Sequence, residues 1–253
     1  MIIVGITGAI GHGKTTLADY LGQEVGSYQH YESSQIIVEV ANALRRSGPL
    51  HPAVTDMEGI NNWLTSLTSV LNICVHLSPP LESFALTTKR LNDHPEHYEK
   101  LFAYLSLMES SPELQTVEIT ADNKATFRPF LQWLGGYLVK TVSPGIWYEE
   151  IMRRIRMNAE RGMQLATIGG LRFPQDAEII RNNGGFILEI KRPGSTNLDL
   201  DDITERERKL IAVDAVVSND SNLADLQQVA HRIYHDLKHR DLRPSYQASQ
   251  SDR

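Results

Sequence analysis

The chain has 253 residues, 41% of them hydrophobic, with one cysteine and a formal charge of -6 at pH 7. That length and apolar content suffice for one large buried core or for a core domain with a substantial insertion, so disorder is not the default. The acidic balance argues against a broad surface for nucleic acid or anionic lipid and favours a small anionic ligand.

The chain opens with Met1-Ile2-Ile3-Val4-Gly5-Ile6, which lacks a basic leader and a small-residue cleavage site. No run reaches the roughly 18 apolar residues of a membrane span, so a cytoplasmic protein with no membrane partner is expected. Residues 2–6 predict a central parallel strand covered on both faces. A helix follows from Lys14-Thr15-Thr16, with Leu17, Tyr20 and Leu21 in one buried stripe, before Gly22 and Gly26 break the pattern. Residues 28–31 read as a second short strand and 34–46 as a helix ending in Arg45-Arg46-Ser47-Gly48-Pro49.

From 49 to 126 the texture changes to helical segments with polar breaks at Ser78-Pro79-Pro80 and Asp93-His94-Pro95. This stretch reads as an α-helical insertion. It contains Cys74, which cannot form an internal disulfide and whose apolar neighbours suggest a buried thiol. Helices are predicted near 127–142 and 147–161, the second with Trp147, Ile151, Met152 and Ile155 on one face. Strand and helix then alternate: strand 164–168, helix 176–181, a stop at Asn182-Asn183-Gly184-Gly185, strand 186–190, a strand at Ala215-Val216-Val217 and a last helix over 223–237. The polar tail from 239 to 253 has no hydrophobic period and is expected to be disordered. The expected fold is α/β, a P-loop NTPase-type parallel sheet flanked by helices. Residues 1–48 and 127–238 make the core, and 49–126 the insertion.

Between the first strand and helix stands Gly8-Ala9-Ile10-Gly11-His12-Gly13-Lys14-Thr15, a complete Walker A sequence. Gly8, Gly11 and Gly13 let the backbone turn tightly and aim successive N–H groups inward, while the helix presents its positive end to the same space. Lys14 is expected to reach the β and γ phosphates of ATP and Thr15 to ligate Mg²⁺ between them. His12 and Thr16 complete the nucleotide-binding set. A kinase also needs cations near the transferred group. Arg172 follows strand 164–168 closely, where the ligand-contacting loops of an open α/β sheet lie, and Arg128 opens a helix. Arg153 and Arg156 read instead as solvated helix decoration paired with Glu149 and Glu150.

Five further stretches carry a resemblance: Phe127-Arg128-Pro129-Phe130-Leu131-Gln132-Trp133-Leu134-Gly135, Trp147, Leu171-Arg172-Phe173-Pro174-Gln175-Asp176-Ala177, Lys191-Arg192-Pro193-Gly194 and Val217-Ser218-Asn219-Asp220. With the Walker A sequence, their order and spacing resemble the deoxynucleoside monophosphate kinases of the bacteriophage type. The resemblance implies ATP-dependent, Mg²⁺-assisted phosphoryl transfer to a (deoxy)nucleoside monophosphate, giving the diphosphate. It implies that Arg128 and Arg172 face the acceptor phosphate or the transferred group, that the loop after Asn219 lies near the donor base, and that the insertion shapes the acceptor pocket. A small-molecule nucleotide is the expected partner, with a homodimer as one assembly open to the chain.

The chain departs from that pattern at Gly170, where the family commonly has an aspartate two residues before the strand-end arginine. Glu32, just past the second strand, is the candidate to supply a carboxylate for Mg²⁺. Asp176 reads as a helix N-cap. Two other functions stay open. The segment from Gly5 to Leu21 also resembles the opening of dephospho-coenzyme A kinases, although that family's Asp-Ala-Asp element is absent. A nucleotide-binding regulator with weakened transfer is the other, for which Gly170 is the motive.

Overall fold

The computed structural model of the chain describes residues 1–47, 57–77, 79–81, 86, 96–193 and 203–247. The expected breaks at Ser78 and 93–95, the helix-ending Gly48-Pro49, Gly194 of the turn and tail residues 248–253 lie outside them. The elements run β1 (Ile2–Thr7), α1 (Lys14–Gln23), β2 (Tyr28–Glu32), α2 (Ser33–Ser47), α3 (Met57–Cys74), α4 (Glu96–Ser110), a 3₁₀ turn (Pro112–Thr116), α5 (Arg128–Thr141) and α6 (Ile146–Glu160). Then come β3 (Leu165–Gly169), α7 (Pro174–Asn182), β4 (Phe186–Lys191), α8 (Ile203–Arg208), β5 (Ala215–Ser218), α9 (Leu223–His239) and β6 (Ser245–Tyr246). They form two compact units, one of Met1–Ser33 with Ile151–Arg253, the other of Ser34–Glu150.

The first unit is built on a parallel sheet of order β2-β3-β1-β4-β5-β6. Val4, Ile6, Leu188 and Ile190 point to one face, where they pack with Leu17, Ala18 and Leu21 of α1 and Leu226, Val229, Ala230, Ile233 and Leu237 of α9. The alternate residues point the other way, as a period of two requires, and α7 packs there against β1 and β4. Both faces are covered, which is why β1 reads as an unbroken apolar run. The chain leaves β1 towards β2 on one side and β4 towards β5 on the other. The crevice above the carboxyl ends of these neighbouring strands is where open α/β sheets bind ligands.

Residues 240–247 belong to the fold, contrary to the expectation of disorder after His239. Arg240 takes a left-handed conformation at the end of α9, and the chain returns as β6 beside β5. The Tyr246 ring is buried, and its hydroxyl donates to Asp236 at 2.9 Å. A strand of two residues is too short to show a hydrophobic period, so one aromatic anchor holds what composition leaves loose.

The second unit is helical. Its core is an aromatic column: Tyr104 stacks on Phe130 at 4.2 Å between centroids, and Trp133 contacts Tyr137 at 5.2 Å and Trp63 at 5.0 Å. The buried amide of Asn42 on α2 pairs with both backbone groups of Ile119, at 2.9 Å each. Arg45 donates to the carbonyls of Leu114 and Gln115, and its guanidinium lies 4.5 Å over the ring of Phe127. These contacts group α2 and α5 with the helical unit, whereas texture alone puts the dividing lines at 48 and 127. Trp147 donates to the carbonyl of Gly135 at 3.1 Å, so two separate pieces of the family resemblance are one contact. Cys74, expected to be buried, is half-buried at the end of α3.

Candidate active site

The Walker A segment turns from β1 into α1 at the sheet's crevice. Gly8 and Gly13 have φ of +148° and +97°, conformations that cost little only for glycine. Neither position has room for a side chain. A Cβ on Gly8 would lie 2.5 Å from the carbonyl oxygen of Ile190, and one on Gly13 would lie 2.7 Å from the amide nitrogen of Asn219. Lys14 donates to the carbonyls of Gly8 and Ala9, both at 2.8 Å. Its ammonium is thus held over the loop. The first-turn N–H groups of α1 have no intrahelical acceptor, by the geometry of any helix start. Thr15 is exposed on that first turn.

The back of the loop is tied to the sheet. The Nδ1 of His12 lies 3.2 Å from the carbonyl oxygen of Ile190, and since a carbonyl only accepts, that nitrogen carries the proton. Asn219 donates from its side chain to the carbonyl of His12 at 2.8 Å and from its backbone to that of Lys191 at 2.7 Å.

At the end of β3 the chain passes Gly169, Gly170 and Leu171 to Arg172, whose side chain is exposed. Asp176 is not the cap of α7. Phe173 is, and Asp176 at the third helical position reaches back to accept from the N–H groups of Arg172 and Phe173, both at 3.0 Å. The segment is therefore held by its backbone, and the Arg172 guanidinium is left to project. An arginine so placed, in the unit that carries the Walker A loop, has the charge that phosphoryl chemistry requires.

A model of the deoxynucleotide monophosphate kinase family matches residues 2–229. The chain belongs to that family. Membership makes it a kinase of deoxynucleotide monophosphates in general terms. No curated protein matches the chain.

Where the family pattern has an aspartate, Gly170 has φ of +73° and nothing within 4 Å of where a Cβ would stand. Glu32 ends β2 opposite Gly169. Its Oε1 is 3.6 Å from Nε2 of His30, and it would lie 3.1 Å from a Cβ on Gly169. His30 in turn bonds through Nδ1 to the hydroxyl of the fully buried Thr167 at 2.8 Å, and Tyr28 reaches the same hydroxyl at 2.9 Å. Burial raises the Tyr28 phenol above its ordinary value against the opposing pull of the Thr167 bond. Sequence reasoning missed this network, although Tyr28, His30 and Glu32 alternate along one strand face and could have signalled it.

Among the described residues no group of three or more His, Cys, Asp or Glu could hold a metal. Mg²⁺ keeps waters and takes one or two protein ligands beside substrate phosphates. The Thr15 hydroxyl and the Glu32 carboxylate are chemically fit for that part.

Arg128 opens α5 in the helical unit and is exposed. Arg156, expected to pair with Glu149 or Glu150, donates to the Asn183 side chain at 2.9 Å. A hollow among the described residues is lined by Glu24, Gln227, Gln228, His231 and Arg232. It lies at the far end of α1 from the phosphate loop, about 15 Å along the helix, and takes no part in the site. No described helix is long and apolar enough to cross a membrane.

Proposed function

We propose that the protein transfers the γ-phosphoryl group of ATP to a deoxynucleoside monophosphate. The observation that carries this reading is the glycine loop, sterically closed to any side chain at Gly8 and Gly13 and crowned by Lys14, in a chain matched over 2–229 by the kinase family. An oxygen of the acceptor phosphate attacks the γ-phosphorus and the bond to the β–γ bridging oxygen breaks, leaving ADP and the deoxynucleoside diphosphate. The acceptor oxygen is already anionic at neutral pH, so no general base is needed, and catalysis reduces to positioning and charge neutralisation.

In this reading Gly8, Gly11, His12, Gly13 and Thr16 shape the donor site, and Lys14 moves from the loop carbonyls to the β and γ phosphates. Thr15 and Glu32 hold Mg²⁺ or its waters, and the ion supplies charge withdrawal from the phosphate oxygens. Arg172 and Arg128 act on the acceptor phosphate or the transferred group. Residues 49–126 shape the acceptor pocket, and the unit of Met1–Ser33 with Ile151–Arg253 carries the donor site. The enzyme works in the cytoplasm on small nucleotides.

The test is to incubate the purified protein with Mg-ATP and each nucleoside and deoxynucleoside monophosphate in turn, plus dephospho-coenzyme A, and to follow ADP and the phosphorylated product. Diphosphate formation with at least one deoxynucleotide is expected. Turnover with dephospho-coenzyme A alone overturns the acceptor assignment. ATP binding without transfer to any acceptor gives precedence to a regulator, the reading favoured by the open space at Gly170 where the family aspartate would stand.

A further inference from the structure

The family resemblance implies a donor-base contact for the loop after Asn219, but the Asn219 side chain is already engaged elsewhere. Its Nδ2 sits 2.8 Å from the carbonyl oxygen of His12, and its backbone N–H is fixed 2.7 Å from the carbonyl oxygen of Lys191. Which end of the amide faces His12 follows from chemistry, since only the nitrogen can donate to a carbonyl. The same His12 donates through its ring to the carbonyl of Ile190. Residue 12 is therefore clamped on two sides, by the end of β4 and by the loop that follows β5.

A trans peptide is planar, with its C=O and N–H pointing in opposite directions. Holding the oxygen of the His12–Gly13 peptide against Asn219 turns the N–H of Gly13 the opposite way. That N–H adjoins the first turn of α1, whose N–H groups have no acceptor within the helix, and Gly13 is the residue at which the loop enters the helix. Close packing supports the arrangement, because a Cβ on Gly13 would meet the Asn219 nitrogen at 2.7 Å. We infer that Asn219 is a positioning residue of the phosphate loop: by holding the His12 carbonyl it aims the N–H of Gly13 at the bound anion, and it acts on the polyphosphate and not on the base. This inference rests on the reading of residues 8–15 as an ATP phosphate loop.

A ligand with phosphates and no base separates the two roles. Binding of Mg-ATP and of Mg-tripolyphosphate is measured by calorimetry on the full-length wild type, Asn219→Leu, Asn219→Ala and Lys14→Ala, with melting temperatures alongside. Asn219→Leu keeps the branched skeleton and removes the amide donor, and Asn219→Ala carries the same comparison if the bulkier leucine is not accommodated. Loss of one aimed donor weakens both ligands by the same factor, roughly 3- to 10-fold, with the KM for the monophosphate unchanged. Weakened ATP binding with unaltered tripolyphosphate binding shows a base or sugar contact and overturns the inference. Unchanged affinity for both overturns it as well. If wild type and Lys14→Ala bind neither ligand differently, the phosphate-loop reading itself has failed and the inference falls with it.

Discussion

The ammonium of Lys14 donates to the carbonyl oxygen of Gly8 at 2.8 Å. The cation is stored on the loop that it would serve, with a second bond to Ala9. Lys14→Ala removes the charge, while the two carbonyls, only part-buried, can turn to water. The stability cost is about 1 kcal/mol, and ATP affinity falls by at least tens of fold. Calorimetric titration with Mg-ATP beside a thermal melt checks both; unaltered affinity would remove the loop's assignment.

Arg172 and Asp176 occupy one short segment with opposite duties. The Asp176 carboxylate satisfies two backbone N–H groups at the start of α7, so Asp176→Ala should cost about 1–2 kcal/mol and lower the melting temperature by a few degrees. Arg172→Ala should leave the melting temperature in place and reduce turnover on the order of 10²-fold, as expected for a group that neutralises developing charge. Wild-type turnover by Arg172→Ala would make the arginine a bystander.

Glu32→Gln keeps the shape of the side chain and deletes its charge. Turnover should fall at limiting Mg²⁺ and recover in part as Mg²⁺ is raised, with the fold intact. Gly170→Asp should restore part of the loss, since the position is open to a side chain. Its left-handed φ of +73° costs aspartate about 1–2 kcal/mol, a price that a melt will register. Wild-type kinetics of Glu32→Gln at limiting Mg²⁺ would move the search for the acid elsewhere.

The Tyr246–Asp236 bond should show itself in the pH dependence of stability. Burial, with the Asp236 bond and charge adding to it, pushes the Tyr246 phenol up to about 12 in the fold, from 10.0. The folded state thus holds a proton that the unfolded chain releases above pH 10, and the stabilisation is lost as pH rises from about 10 towards 12. For Asp236, burial raises the carboxyl but is outweighed by Tyr246, His235 and Arg243, which hold it below its ordinary value. That contribution is present at neutral pH and is lost only as pH falls below the ordinary carboxylate range. Tyr246→Phe should flatten the alkaline limb relative to wild type in denaturant melts taken as pH rises from about 10 towards 12. An unchanged limb would mean that the tail is not held by this bond.

Much of the first unit was legible because its signals are local. The loop is eight consecutive residues whose glycines set their own backbone angles, and strands 165–169, 186–191 and 215–218 fall within a residue or two of their expected spans. Where expectation and structure part, the cause is a contact distant in sequence. α2 and α5 group with the helical unit through Asn42, Arg45 and Trp147, pairings that no periodicity encodes. Asp176 is a helix-start residue, but at the third helical position and not at the cap; a carboxylate reaching back from the third residue looks the same in sequence as one at the cap.

The amino-acid sequence alone determined that this chain carries a glycine-rich Walker A segment between a strand and a helix, since glycine conformations, strand alternation and helix stripes are properties of neighbouring residues. Only the tertiary structure decided what surrounds that loop. Asn219 meets His12 across 207 positions, and Glu32 meets Gly169 only because β2 and β3 pair in one register. Tyr246 closes on Asp236 only because α9 ends in a left-handed turn. A shift of one residue in any of these strands would turn the side chains to the opposite face, and register is settled by the packed sheet, not by the run of residues within a strand.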